Sequence, residues 1–301
     1  MTRLGTRGSL LALAQANAVA ERLRARGEAV EVVSIRTEGD RLLEARLATL
    51  GGKGLFVREI EQALLAGTID CAVHSLKDLP AELPAGLTLA AFPRRGPAGD
   101  VIVTRGGGGL DDLPAGAVVG TSSPRRRALV LALRPDVSVE PVRGNVDTRL
   151  RKLAGGDFDA VILAAAGLSR LGLAPAHARA LDPEVFVPAV GQGILAVESR
   201  AGDGRTRELL AALDDGETRA CALSERAYLR RLGASCNSPM AAHARLDGGR
   251  LGMDALVASE DGTRVLRGRD GGAPEDAERI GRRLAEALLA RGAAAVTALK
   301  V

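Results

Sequence analysis

The chain has 301 residues, enough for two or three domains that each bury a core. Apolar residues make up 46% and charged residues 26%, as in ordinary globular proteins, but aromatics are only 2% with no Trp, so the cores are built from Ala, Leu and Val. Net charge is +4 with pI near 9.3; no basic tail, helix-turn-helix signature or aromatic–basic stacking platform accompanies it, which turns the basic excess away from nucleic acid and toward a small polyanion. The first apolar stretch is soon interrupted by Gln15, Asn17, Glu21 and Arg22. No signal peptide and no run near the ~20 apolar residues of a membrane span is expected, so the expected compartment is the cytoplasm. Cys71, Cys221 and Cys236 are too few and too scattered for a disulfide framework or a zinc site, and no metal is expected.

In chain order, residues 3–6 read as a strand, 9–26 as a helix and 30–35 as a second strand. Residues 56–66 show helical spacing, stopped by Gly67, and 71–75 form a buried-strand candidate. Such alternation predicts α/β units with substantial parallel pairing. Around 93–99 the composition changes to PRRGPAG, a first interdomain crossing. A second α/β block follows, with strands at 101–104, 118–120, 138–142 and 160–165 and helices at 124–133 and 146–153. A second crossing lies at 186–193 (FVPAVGQG), after which 194–198 returns as a strand to the first block and 205–213 is a helix. The remainder predicts a small α+β domain: a helix at 217–232, three strands at 241–246, 250–259 and 263–267 joined by hairpin turns, and an amphipathic helix at 274–291. Two crossings between two α/β lobes make a hinged cleft, the usual place for a ligand. The expected division is 1–95 with 194–214, then 96–193, then 215–301.

The chemistry gathers at strand-to-helix junctions. In GTSSPRRRALVLALR, Ser122 or Ser123 can cap a helix and Pro124 suits its first position. Free N–H groups, hydroxyls and Arg125–Arg126 then converge where a carboxylate or phosphate fits. A capped surface helix with solvated arginines explains the same letters. PVRGNVDTRL repeats the design: Arg143 ends a strand, Gly144 permits a tight turn, Asn145 can cap and Arg149 follows about one helical turn on. GTRGS places Arg7 and Ser9 likewise. GGKGLFVRE sets Lys53 among glycines without the spacing of a nucleotide loop; it fits either a loop that reaches over a ligand or a plain helix lead-in. In CAVHSLKDLP, Lys77 and Asp78 lie just past a strand end, where α/β proteins bind ligands, while His74 reads as a hydrogen-bonded structural residue. Cys71 and Cys221 read as small core residues. Cys236, in the small-residue loop GASCNSP, is by spacing alone either a nucleophile or an incidental thiol.

Eight segments in order, GTRGS, GGKGLFVRE, AVHSLKDLP, VGTSSPRRR, VRGNVDTRL, ILAAAGLSRLGL, PAVGQG and SCNSP, resemble the hydroxymethylbilane synthase (porphobilinogen deaminase) family through nearly the whole chain. The resemblance implies an α/β fold of two periplasmic-binding-protein-like lobes with a hinged cleft, plus a small C-terminal α+β domain with a three-stranded antiparallel sheet. It implies a monomeric cytoplasmic transferase of tetrapyrrole biosynthesis. Such enzymes condense four porphobilinogens head to tail, with loss of ammonia, and release linear hydroxymethylbilane by hydrolysis. It implies a dipyrromethane cofactor held by a thioether at Cys236. Asp78 matches the catalytic aspartate, which interacts with pyrrole N–H groups and stabilises positive charge as the azafulvene forms. Ser75, Lys77, Thr121, Ser122, Ser123, Arg125, Arg126, Arg143 and Asn145 match cofactor-binding positions. Arg7, Ser9, Lys53, Phe56, Arg149, Arg170 and Gln192 match substrate-binding ones. Leu10, Thr49 and Asn237–Ser238 depart from the residues common in the family, and are read as tuning. The competing reading is a non-catalytic anion-binding or ligand-sensing protein of the same two-lobed fold, which leaves the Cys236 loop unexplained.

Overall fold

A computed structural model describes residues 1–35, 57–233 and 238–297. The strands in chain order are β1 (Thr2–Arg7), β2 (Val30–Ile35), β3 (Cys71–Ser75), β4 (Leu87–Ala91), β5 (Asp100–Thr104), β6 (Val118–Gly120), β7 (Ser138–Glu140), β8 (Ala160–Ala164), β9 (Ala178–Ala180), β10 (Leu195–Arg200), β11 (Met240–Asp247), β12 (Arg250–Ala258) and β13 (Val265–Gly272). They form a five-stranded sheet β2-β1-β3-β10-β4, a second one β7-β6-β8-β5-β9, and a three-stranded sheet β11-β12-β13.

The two large sheets share a design. In each, three strands run parallel: β2, β1 and β3 in the first, β7, β6 and β8 in the second. In each, a fourth strand pairs antiparallel on both sides: β10 between β3 and β4, β5 between β8 and β9. The expected parallel pairing is therefore mixed with antiparallel pairing. β10 returns to the first sheet after the chain has traversed the second, as the sequence predicts. β4 (LTLAA) and β9 (ARA) escape sequence reading because they are short and carry no alternation long enough to separate from loop.

Local chemistry explains the helix starts. Ser9 caps the helix Leu10–Arg24 by accepting from the Ala12 N–H, and Ser123 caps Pro124–Leu133 by accepting from Arg126, with Pro124 at the first helical position. Asn145 precedes Val146–Ala154 at the cap position, but its side chain makes no capping bond, contrary to expectation. β7 stops at Glu140, so Arg143 lies in the connecting turn and not at a strand end. The helix predicted over 56–66 spans Arg58–Leu65; Phe56 falls outside the described residues, and Gly67 follows with φ +70°.

The third sheet is covered on one face by the helices Gly216–Arg231 and Ala277–Ala290, where Ala242, Met253, Ala255 and Val257 meet Tyr228, Ile280 and Leu284. That core extends to Leu76, Leu79, Phe92 and Ile194 of the first lobe. The alternate residues Ala241, Leu256 and Ala258 join Ala128, Leu129 and Val130 of the second. The third sheet thus grips both lobes.

Candidate active site

The C-terminal ends of β1, β3, β6 and β8 carry the sequence-predicted residues to one cleft. Two adjoining cavities, about 240 and 390 Å³, occupy it; the larger is within the range usual for small-molecule sites. The first is lined by Arg7, Ser9, Ser75, Asn145 and Arg170, the second by Ser122, Ser123, Arg125, Gln192 and Ser238; Lys77, Asp78, Arg126 and Arg149 line both. A third, smaller cavity is lined by Ser75, His74 and again Asp78. Asp78 is the residue common to all three, on the short 3-10 turn Leu76–Asp78 that continues β3, and it is exposed to the cleft.

The cationic residues are held differently. Arg126 donates through Nε and Nη2 to Asp100 Oδ1 at 3.1 and 2.7 Å and through Nη1 to the Ile162 carbonyl. Arg125 Nη1 lies 2.8 Å from Asp100 Oδ2, and its guanidinium stands 5.7 Å from the Phe186 ring. Burial pushes the Asp100 carboxyl up, but the two guanidiniums outweigh it and bring it down to about 2. Gln192 donates to the Ala98 carbonyl and to Asp100 Oδ1, so it sits in the hinge and braces the same carboxylate. Arg149 donates to the Gly144 carbonyl and Arg170 to the Gly193 carbonyl. Burial lowers both of these guanidiniums, with Arg126 adding to the effect on Arg149. Burial also brings the half-buried Lys77 amine down to about 8, against the pull of Asp78.

The hydroxyls divide too. Ser75 and Gln15 share a hydrogen bond at 3.1 Å, and Ser122 donates to the Val142 carbonyl at 2.8 Å. Thr121 is buried behind the lining, accepting from the Ser123 N–H, and Arg143 is exposed outside both cavities. His74 pairs with buried Glu198 at 2.9 Å, in keeping with a structural role. Cys71 and Cys221 are buried, and burial pushes their thiols up to about 12 and about 11. Lys53, Phe56 and Cys236 lie outside the described residues.

Sequence reading missed four residues. Asp100 and Gln15 carry no local signal, because their partners lie 26 and 60 positions away. Glu225 accepts from Arg95 Nη1, from the Gly191 N–H and from the Ala244 N–H, tying both crossings to the third sheet. Its neighbour Arg226, which lines the second cavity, donates to the Pro80 and Ala81 carbonyls at 3.1 and 2.8 Å. The two crossings touch backbone to backbone: Gly96 N–H donates to the Gly193 carbonyl, and a Cβ at Gly193 would meet Gly96 O at 2.6 Å. Among the described residues, no group of His, Cys, Asp and Glu is arranged to hold a metal ion, and no helix is long and apolar enough to cross a membrane.

Residues 2–208 match the family described as "Porphobilinogen deaminase, dipyromethane cofactor binding domain", and residues 219–290 match "Porphobilinogen deaminase, C-terminal domain". A porphobilinogen deaminase of Syntrophobacter fumaroxidans is 50% identical over 293 residues, covering 97% of this chain and 95% of that protein. One of Desulforudis audaxviator is 51% identical over 297 residues, covering 98% and 96%. An ABC transporter periplasmic substrate-binding protein from Coxiella burnetii is 15% identical with TM-score 0.44, over 71% of this chain and 92% of that one. On the two matched domains and half-identity along almost the whole length, the chain belongs to the porphobilinogen deaminase family.

Proposed function

We propose that this chain is a hydroxymethylbilane synthase, condensing four porphobilinogens head to tail on a dipyrromethane primer borne by Cys236 and releasing the linear tetrapyrrole by hydrolysis. The observation that carries the reading is the place of Asp78, where three cavities meet under a ring of cationic side chains. The lining suits the cofactor: Lys77, Ser122, Ser123, Arg125, Arg126 and Arg149 surround the second cavity, where a surplus of positive charge favours acetate and propionate carboxylates. Ser238, two residues past Cys236, lines the same cavity. When bound, the dipyrromethane supplies the pyrrole carbon to which the first substrate is joined.

Around the first cavity, Arg7, Ser9, Arg149, Arg170 and Asn145 hold the carboxylates of the incoming porphobilinogen, and Lys53 and Phe56 are further substrate-binding residues. Asp78 accepts from pyrrole N–H groups, and its negative charge stabilises the positive charge that develops as the aminomethyl C–N bond breaks and ammonia leaves. A new C–C bond then forms, and the attacking pyrrole carbon loses its proton. Thr121, Gln192 and Arg143 act indirectly, the first two by bracing the cleft wall and hinge, the third through its charge at the rim. The proposed domains are 1–95 with 194–214, 96–193 and 215–301, and the chain acts as a cytoplasmic monomer.

Intact-protein mass tests the cofactor: the purified chain should exceed its sequence mass by two linked pyrrole units and colour with Ehrlich's reagent. A chain at its bare sequence mass overturns the assignment. Asp78→Ala should keep the added mass and lose on the order of 100-fold or more in turnover. Turnover near normal would refute the role assigned to Asp78.

A further inference from the structure

Arg226 points down from the helix Gly216–Arg231 into the seam between the third sheet's layer and the first lobe. It is 5% exposed, and among the described residues its hydrogen bonds go to two consecutive carbonyls, Pro80 and Ala81, two and three residues after Asp78. A planar guanidinium spans two adjacent acceptors with little loss of freedom, which a lysine amine does not. Burial brings Arg226 down to about 10, with Arg230 adding to the effect, so it stays charged near neutrality. Along the chain, Asp78 is separated from the Pro80 carbonyl that accepts from Arg226 only by Leu79, buried and bonded through its N–H to the Leu76 carbonyl, and by the rigid ring of Pro80 itself. In the other direction, Cys236 follows Arg226 by ten positions, and Ser238 and Arg226 line one cavity. The preceding residue, Glu225, locks the same helix to both crossings.

We propose that Arg226 is a positioning residue, fixing the turn after Asp78 to the helix that leads toward Cys236 and so setting the register between cofactor anchor and catalytic carboxylate. The proposal rests on the hydroxymethylbilane synthase reading given above. The helix that carries Arg226 and the turn that carries Asp78 belong to different layers of the molecule, and a misplacement on the order of 1 Å between reacting groups can cost on the order of 100-fold in rate.

The test uses the full-length, cofactor-loaded chain, with Arg226→Met and Arg226→Lys variants. Intact mass is measured first, because a wild-type chain without the pyrrole increment defeats the functional reading and not this inference. With the increment present, Arg226→Met should lower kcat at least about tenfold while KM for porphobilinogen stays within about twofold. Arg226→Lys should recover part of kcat, since one amine reaches at most one carbonyl well. A rise in KM with kcat intact would overturn the proposal by making Arg226 a substrate carboxylate ligand. Unchanged kcat and KM would overturn it as well. Should the Met variant fail to fold, the Lys variant carries the same reading of kcat against KM; failure of both to fold would mark the contact as structural and end the proposal.

Discussion

Two pairs of cleft arginines look interchangeable in the sequence and are not. Arg125 and Arg126 converge on the single carboxylate of Asp100, at the start of β5, and are almost wholly buried. Arg149 and Arg170 each donate to one backbone carbonyl and line the first cavity. The first pair contributes a fixed surplus charge, two cations on one anion, and holds the second lobe's cleft wall to its sheet. In the proposed function, the second pair takes and releases a substrate carboxylate. An arginine-rich cleft therefore contains both scaffold and grip, and what separates them is the presence of a buried counter-charge.

The largest effect that sharpens this contrast is on stability. Arg126→Leu removes two bonds from a buried carboxylate and should cost about 3–5 kcal/mol, read from the denaturant midpoint. A loss below about 1 kcal/mol with only KM changed would put both pairs in one class. Next comes acid. The folded Asp100 carboxyl lies below its unfolded value, so its stabilisation is complete above about pH 4 and drains away as pH falls toward about 2. Roughly 2 kcal/mol should be lost over that window, and Asp100→Asn, weaker at every pH, should show a flatter acid limb. The smallest effect belongs to the gripping pair: Arg149→Leu should leave stability within about 1 kcal/mol while raising KM about tenfold, the cost of one charge-assisted bond. An unfolded or strongly destabilised Arg149→Leu chain would break the comparison from the other side.

What the sequence made legible was local. Ser9 and Ser123 cap helices because serine hydroxyls sit three residues before the N–H they accept from, a relation visible in the letters. The same logic placed Asp78 and Lys77 past the end of β3, and the Asp247–Gly249 and Glu260–Gly262 turns exposed the small sheet. It failed where the partner is distant. Nothing near Arg125 names Asp100, and nothing near Glu225 names Arg95, 130 residues earlier. Asn145 shows the opposite error: the right residue type stands at the cap position and makes no cap. Cys236 is proposed as an anchor only through ordered family motifs, since a thiol among small residues has no spacing that distinguishes it.

The path of β10 has a consequence for how the chain reaches this state. That strand lies inside the first sheet, between β3 and β4, yet His74 and its partner Glu198 are separated by 124 residues. As the polypeptide leaves the ribosome, β3 and β4 are made long before the strand that must separate them, and until it arrives each offers an open edge. Pairing across such a span is entropically slow, and it comes only after the second lobe has been synthesised. Completion of the first lobe's sheet thus waits until the second lobe has been synthesised, which makes the nascent chain most exposed to mispairing in the interval before residue 200 emerges.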